Sequence, residues 1–388
     1  MRQKCRPLSR CEVIHSRAAY NSKGHTVKIT AVKTIPIDRA RHGVLGYLVT
    51  VETDGGLIGL GEVAADCHPA TVAFAIRQMD LVGRDPLAIE ALWQTFYQQQ
   101  FWRGGPIWTS AISGVEQALW DIKGKALDVP VYQLMGGKLR EQIPLYTHTL
   151  FGEQSPDEFA DSAREAVALG FRAVKFDPLG HAEQRMDIGE MRLAVERVKA
   201  TREAVGDDVE ILIEGHGRLS PNMAIRMARM FEEFNPFFFE EPVAPENVDE
   251  MAKVAAAINI PVAAGERLYT RWSFREMLEK QAVDYIQPDL CHCGGFYEGH
   301  KIATLAETYH VRMLPHNPNG PISTLVGVHL GACTANFEML EYPRQPADRV
   351  MVLKNMPIVE GGAIKVPEEP GWGVEVDEGV LAEFSPEL

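Results

Sequence analysis

The sequence predicts an α/β fold, a modified (β/α)8-type TIM barrel of parallel strands carrying an N-terminal α+β capping domain. Three observations predict it. From residue 143 onward, short apolar runs alternate with amphipathic stretches, at about one pair per 25 residues. Most of these runs end on an acidic residue, a histidine or a lysine. The segment before residue 143 has a different grammar, a glycine-turned hairpin followed by helices.

Residues 1–26 carry six Lys/Arg against one acid, Glu12, and show no clear period. They lack the apolar segment of a secretory signal and read as an upstream extension or a disordered basic tail, outside the fold. Residues 27–142 form the capping domain. Residues 27–37 read as a strand, and 47–53 and 57–61 as two more around Asp54-Gly55-Gly56, where glycine tolerates the positive φ of a tight hairpin. Helices follow over 69–81 and 86–101, then over 109–127, where Ile112, Val115, Leu119 and Ile122 recur at spacings of three and four. The barrel domain spans 143–360. Its strand candidates are 144–148, 172–176, 210–213, 237–239, 261–264, 284–287, 311–314 and 337–340, with helical stretches such as 156–169, 191–205 and 223–234 between them, eight strand–helix repeats in all. A doubly wound open sheet would carry a glycine-rich phosphate turn after its first strand, and none is present. Residues 361–388 are rich in Gly and Pro and return to cover the capping domain.

A net charge of −14 argues against nucleic acid as a partner, because phosphate binding rests on clustered Lys and Arg. It leaves room for a small anionic substrate, since a metal ion can reverse the field inside one pocket. No apolar run reaches the roughly 18 residues of a membrane span. Six cysteines in 388 residues do not make a disulfide framework, so the expected setting is reduced and cytoplasmic. Cys291 and Cys293 flank His292, but no second Cys/His pair at zinc spacing accompanies them.

The strand ends carry the chemistry. Ile211-Leu212-Ile213 runs into Glu214, Phe237-Phe238-Phe239 into Glu240, and Val262-Ala263-Ala264-Gly265 into Glu266. Other runs lead to Lys175, Asp289, His316 and Glu341, and His216 follows Glu214 by two residues. In a parallel barrel all these ends converge on one mouth. Glu214, Glu240 and Glu266 are 26 residues apart, which predicts equal heights on three successive strands. Three close carboxylates repel unless a cation neutralises them, and all-oxygen ligands suit Mg²⁺.

These motifs resemble the enolase superfamily, mandelate racemase subgroup, and within it the D-galactonate dehydratase-like sugar-acid dehydratases. The resemblance runs from Val27 onward. It rests on Phe101-Trp102-Arg103-Gly104-Gly105-Pro106 and Ala118-Leu119-Trp120-Asp121-Ile122-Lys123-Gly124-Lys125, then on Glu214-Gly215-His216-Gly217-Arg218, Glu240-Glu241-Pro242, Ala264-Gly265-Glu266-Arg267, Gln287-Pro288-Asp289-Leu290 and Pro315-His316. It implies Mg²⁺-dependent dehydration of an aldonic acid such as D-galactonate or D-gluconate to a 2-keto-3-deoxy acid, and a homo-oligomer. The substrate carboxylate would chelate the metal, with Lys175 helping to stabilise the enediolate. His316 would be the base, Asp289 the residue that holds its far nitrogen, and His216 the acid that protonates the departing β-hydroxyl. A racemase, epimerase or cycloisomerase of the same superfamily is the nearest alternative, and a non-catalytic sugar-acid sensor a more distant one.

Two departures bear on the substrate. Glu214 stands where galactonate dehydratases usually carry Asp, and Lys175-Phe176-Asp177 replaces the Lys-x-Lys of racemases. Asp177 would meet a substrate hydroxyl or pair with Lys175. Arg218 would bind substrate hydroxyls or pair with a ligand carboxylate, and Glu341 would hydrogen-bond the intermediate or close the barrel. Asn317 and Asn319 would read hydroxyls or shape their loop, and His292 is open. A flexible loop near 39–46, with Arg41 and His42, would close the site over the distal end of the substrate.

Overall fold

The computed structural model describes residues 27–39, 43–64, 67–343, 352–377 and 379. The basic segment 1–26, Arg41 and His42 lie outside them.

The cap begins with an antiparallel sheet of β1 (Ile29–Arg39), β2 (Gly43–Thr53) and β3 (Ile58–Val63), in that order. The expected loop at 39–46 is largely paired strand instead: Ile37 lies opposite Gly46, Asp38 opposite Val44 and Arg39 opposite Gly43. Cross-strand pairing extends the ladder to the hairpin tip, past where the apolar alternation of the sequence stops. Three helices follow, α1 (Pro69–Arg77), α2 (Ile89–Phe96) and α3 (Pro106–Leu127). Helix α3 lies almost directly on β3 because Gly59 and Gly61 face it. A Cβ on either glycine would come within about 2 Å of the Ala118 or Gly114 carbonyl oxygen.

The barrel strands are β4 (Gln142–Phe151), β5 (Ala173–Asp177), β6 (Glu210–Glu214), β7 (Phe238–Glu240), β8 (Val262–Ala264), β9 (Tyr285–Ile286), β10 (Arg312–Met313) and β11 (Leu340–Glu341). They pair in parallel in chain order from β4 to β10, and β11 pairs with β4. A parallel bridge between Met313 and Phe337 joins β10 to the approach to β11 and completes the ring. Helices α4 (Pro156–Ala168), α5 (Ile188–Val205), α6 (Pro221–Phe231), α7 (Val248–Ala255), α8 (Thr270–Glu279), α9 (Phe296–Glu307) and α10 (Pro321–Cys333) fill the crossovers. Where eight strand–helix pairs were expected, the eight strands are accompanied by seven helices among the described residues; beyond β11 Gly379 alone is described as helical. Capping boxes start two of the helices, Ser155 with Glu158 on α4 and Asp187 with Glu190 on α5.

The last segment serves both parts. After β12 (Leu353–Lys354) and β13 (Val359–Glu360), strand β14 (Ala363–Lys365) pairs antiparallel with the first residues of β4, below β11 on the same edge. Trp372 then docks on the cap before β15 (Glu375–Val376). Its backbone N–H donates to Asp121 and its indole N–H to the Leu60 carbonyl, at 2.8 and 3.0 Å.

Buried acids of the cap hold the two parts together by meeting helix starts. Glu62 of β3 accepts from the backbone N–H groups of Gly320, Ile322 and Ser323 at the start of α10. Glu116 of α3 accepts from Phe296 and Tyr297 at the start of α9, and from the Trp120 indole. Exposed N–H groups and the helix dipole both favour an anion there.

Candidate active site

Side chains two residues apart on a strand share a face. Inside the barrel Tyr146, Ala173, Leu212, Phe238, Ala263 and Leu314 form one buried apolar layer. Two residues further along their strands stand Lys175, Glu214, Glu240 and His316. The polar site is thus the next interior layer, at the C-terminal mouth.

Oxygens of Glu214, Glu240 and Glu266 lie within 4.8 Å of one another. The expected equal register holds for the first pair alone, since Glu214 lies opposite Glu240, whereas Glu240 lies opposite Ala263. Glu266 therefore sits beyond the end of β8 and reaches the centre from a loop turned by Gly265 at φ +141°. Its side chain is 17% exposed against 1% and 0% for Glu214 and Glu240, so the triad has an open side.

Lys175 lies beneath the triad. Its Nζ is 3.0 Å from Glu240 and 2.8 Å from Glu341, and 3.6 Å from Glu214. Burial opposes its charge, yet Glu240 and Glu341 raise its pKa well above the ordinary lysine value. Glu341 is held well below the carboxylate range against burial, chiefly by Lys175. Burial and Glu240 push Glu214 well above that range, with Lys175 opposing. One lysine cannot answer every carboxylate. The Glu240 Oε2 atom is buried with no hydrogen-bond partner. An orphaned carboxylate oxygen within a hard, all-oxygen triad is what a divalent cation of the Mg²⁺ class would satisfy, so the residues fit one.

Two histidine–aspartate pairs flank the triad. His316 Nδ1 lies 2.9 Å from Asp289, which also accepts from Asn319 and from the backbone of Cys291. His316 Nε2 lies 3.1 Å from Glu266. Burial disfavours the imidazolium, but Glu266, Asp289 and Glu341 outweigh it and raise the His316 pKa to about 10. His216 follows β6, with Nδ1 2.7 Å from Asp177 and its backbone N–H 2.6 Å from Glu214. In an eight-stranded ring β6 and β10 are the third and seventh strands, so the histidines approach from opposite walls.

Lys175, Glu214, Glu266, His216, His316 and Glu341 line one cavity of about 540 Å³. Asp177 and Arg218, expected as substrate contacts, are not among the residues lining that cavity. Asp177 is buried away from that cavity and bonded to His216, Arg218 and the Leu179 N–H, not to Lys175. Arg218 turns to Asp177 and to the carbonyls of Gly180 and Gly215, not to a ligand carboxylate. The turns after β5 and β6 bring these groups together, which strand periodicity does not reveal. The Asn317 side chain donates to Thr324 and to the Glu341 carbonyl, and that of Asn319 to Asp289, so both side chains organise the loop around His316. The His42 expectation lies outside the described residues.

Other cavity residues escaped the sequence reading. His148 ends the first barrel run, as the other site residues end theirs, and its Nδ1 lies 3.6 Å from Glu341. Cys67, His68 and Pro106 enter from the cap, and Tyr269 from the loop after β8. His292 also faces the cavity, with Nδ1 2.7 Å from Ser110 of α3. The buried thiols of Cys291 and Cys293 contact Gln117 and the Gly295 carbonyl rather than His292.

Comparison with known proteins gives a concordant picture. Residues 25–136 match the mandelate racemase/muconate lactonizing enzyme N-terminal domain, and residues 158–380 the enolase C-terminal domain-like family. A D-galactonate dehydratase of Ralstonia pickettii (strain 12J) is 39% identical over 357 residues, covering 87% of this chain and 90% of that protein. A solved member of the enolase superfamily from Salmonella Typhimurium superposes with a TM-score of 0.87 at 36% identity, over 92% of this chain and 98% of that one. A mandelate racemase/muconate lactonizing enzyme from Jannaschia sp. CCS1 gives 0.86 at 33% identity, over 92% and 97%.

Proposed function

This chain belongs to the mandelate racemase/muconate lactonizing enzyme family of the enolase superfamily, and from that premise we propose that it is a Mg²⁺-dependent sugar-acid dehydratase. It is a carbon–oxygen lyase that converts an aldonic acid such as D-galactonate or D-gluconate to a 2-keto-3-deoxy acid. The D-galactonate dehydratase relative supports the substrate class. The observation that carries the reading is the pair of histidines, each backed by an aspartate, on opposite walls of one carboxylate-lined cavity.

Glu214, Glu240 and Glu266 would hold the cation. When bound, it supplies positive charge to a substrate carboxylate and spreads the charge that develops as the α-proton leaves. Lys175 adds a fixed charge from beneath, in a site that excludes bulk water on that side. His316 takes the α-proton on Nε2, while Asp289 keeps Nδ1 engaged and stabilises the imidazolium. His216, across the cavity, gives its proton to the β-hydroxyl as the C–O bond breaks. Two walls let one group take and the other give without either proton crossing the substrate chain. The reading includes a cytoplasmic setting, supported by free thiols at Cys67, Cys291, Cys293 and Cys333.

The test is a library of aldonic, aldaric and deoxy-sugar acids with Mg²⁺ in deuterated water, with keto acid trapped by semicarbazide. Keto acid from an aldonic acid is the expected result. Deuterium exchange at the α-carbon with no keto acid from any member would replace dehydration by racemisation or epimerisation.

A further inference from the structure

On the reading that His216 delivers the proton to the leaving hydroxyl, we propose that Asp177 is the positioning residue that sets which way His216 faces. Asp177 ends β5 two residues beyond Lys175, on the same face, and is 2% exposed. Both of its oxygens are already engaged within the protein. Oδ1 accepts from Leu179 at 2.9 Å, and Oδ2 takes both His216 Nδ1 at 2.7 Å and the Arg218 guanidinium.

The rest of the cluster anchors that carboxylate. Arg218 also donates to Gly180 O at 2.5 Å and to Gly215 O at 3.3 Å. It therefore ties the turn after β5 to the turn after β6, and Asp177 lies at the knot. His216 itself sits at φ +49°, a left-handed conformation uncommon for a residue with a Cβ. Its backbone is held by Glu214, and its ring meets the edge of Phe151 at a centroid distance of 5.6 Å. An ionised carboxylate only accepts, so Nδ1 carries the proton it shares with Asp177. Nε2 is then the ring nitrogen presented to the cavity. Asp289 holds His316 Nδ1 in the same manner from the opposite wall.

The test compares wild type, Asp177→Asn, His216→Asn and the double variant as Mg²⁺-loaded proteins, with an acid that wild type dehydrates. In deuterated water, Asp177→Asn is expected to lose about 100-fold or more in keto-acid formation, the scale of one general acid, while α-proton exchange stays within about threefold. The double variant should be no slower than His216→Asn, because the two residues act as one unit. Calorimetric Mg²⁺ affinity should be unchanged. In protein labelled with ¹⁵N-histidine, the Nδ1–H resonance of His216 should be lost in Asp177→Asn, a readout independent of any substrate.

Unchanged keto-acid formation, an equal fall in exchange and elimination, or a retained resonance would each overturn the positioning role. Asp177→Glu keeps the charge opposite Arg218 and covers the case in which Asp177→Asn fails to fold. It must show the same split between elimination and exchange, or the role is lost. Wild-type protein that dehydrates no acid would sink the dehydratase reading instead, and the resonance test would still decide the orientation.

Discussion

At the barrel mouth Glu214, Glu240 and Glu266 face one another, whereas at the seam between cap and barrel Glu62, Glu116 and Asp121 each face backbone N–H groups. All but Glu266 are fully buried acids. At the seam, two or three fixed donors meet each carboxylate. At the mouth, the crowding is answered by Lys175 and, at Glu266, by His316, and an oxygen of Glu240 is left over. Acids matched by protein groups hold the fold together. Acids left short of positive charge can bind a cation, and the fold carries the repulsion until they do.

The largest effect should come from breaking the mouth. Glu240→Gln should abolish turnover and cost at least about 100-fold in Mg²⁺ affinity by calorimetry, the upper range seen for groups that merely support a ligand. Its melting temperature without Mg²⁺ should hold or rise, since one repelling charge is gone. Wild type with Mg²⁺ at about 100 times its Kd should gain about 2.7 kcal/mol, and this variant almost none.

Breaking the seam should do the reverse. Glu116→Leu strands the N–H groups of Phe296 and Tyr297 and the Trp120 indole, and should cost about 1–3 kcal/mol in denaturant unfolding. Mg²⁺ affinity should stay within about twofold, because changes at distant sites without shared partners are nearly independent.

Proton coupling sharpens the contrast. With Glu214 raised well above its ordinary range and His316 raised to about 10, cation binding at neutral pH must displace protons. Mg²⁺ affinity should therefore climb by up to about tenfold per pH unit for each proton released, as calorimetry in buffers of different ionisation enthalpy would show. The shallowest effect belongs to the seam, where helix-start N–H groups oppose burial. Burial raises Glu62 to about 7 and Glu116 to about 8, from an ordinary glutamate value of 4.5. The native state then keeps protons that the unfolded chain has released, so this contribution to stability is complete below pH 4.5 and fades as pH rises through 7 and 8. Denaturant midpoints measured across that window should decline for wild type and less steeply for Glu116→Gln.

Much of the mouth was legible because a barrel strand must be apolar until it ends, so Glu214, Glu240 and His316 stand out as the first polar residue after a core run. His148 also closes a run, but Thr147 precedes it and hides it from that rule. The offset of Glu266 was not legible, because 26 residues of spacing count loop as well as strand. Nor was the bond between Asp177, His216 and Arg218, which depends on how two turns curl toward each other. The cap's contribution was hidden for a simpler reason: Ser110 and His292 are 182 positions apart, and only docking makes them neighbours. The cap hairpin and buried helix were readable from glycine placement and period, but not that Glu62 and Glu116 would serve the barrel's helices.

Asp121 has a consequence for how the protein is made. Its carboxylate accepts from Leu60 inside the cap, but also from the N–H of Trp372, near the other end of the chain. A ribosome releases the cap sequence first, yet one acceptor in its interior waits for a donor that emerges almost last. The cap's final packing must follow synthesis of the barrel. A nascent chain truncated before Trp372 should therefore hold an unfinished cap, open to protease, beside a barrel whose strands are all complete.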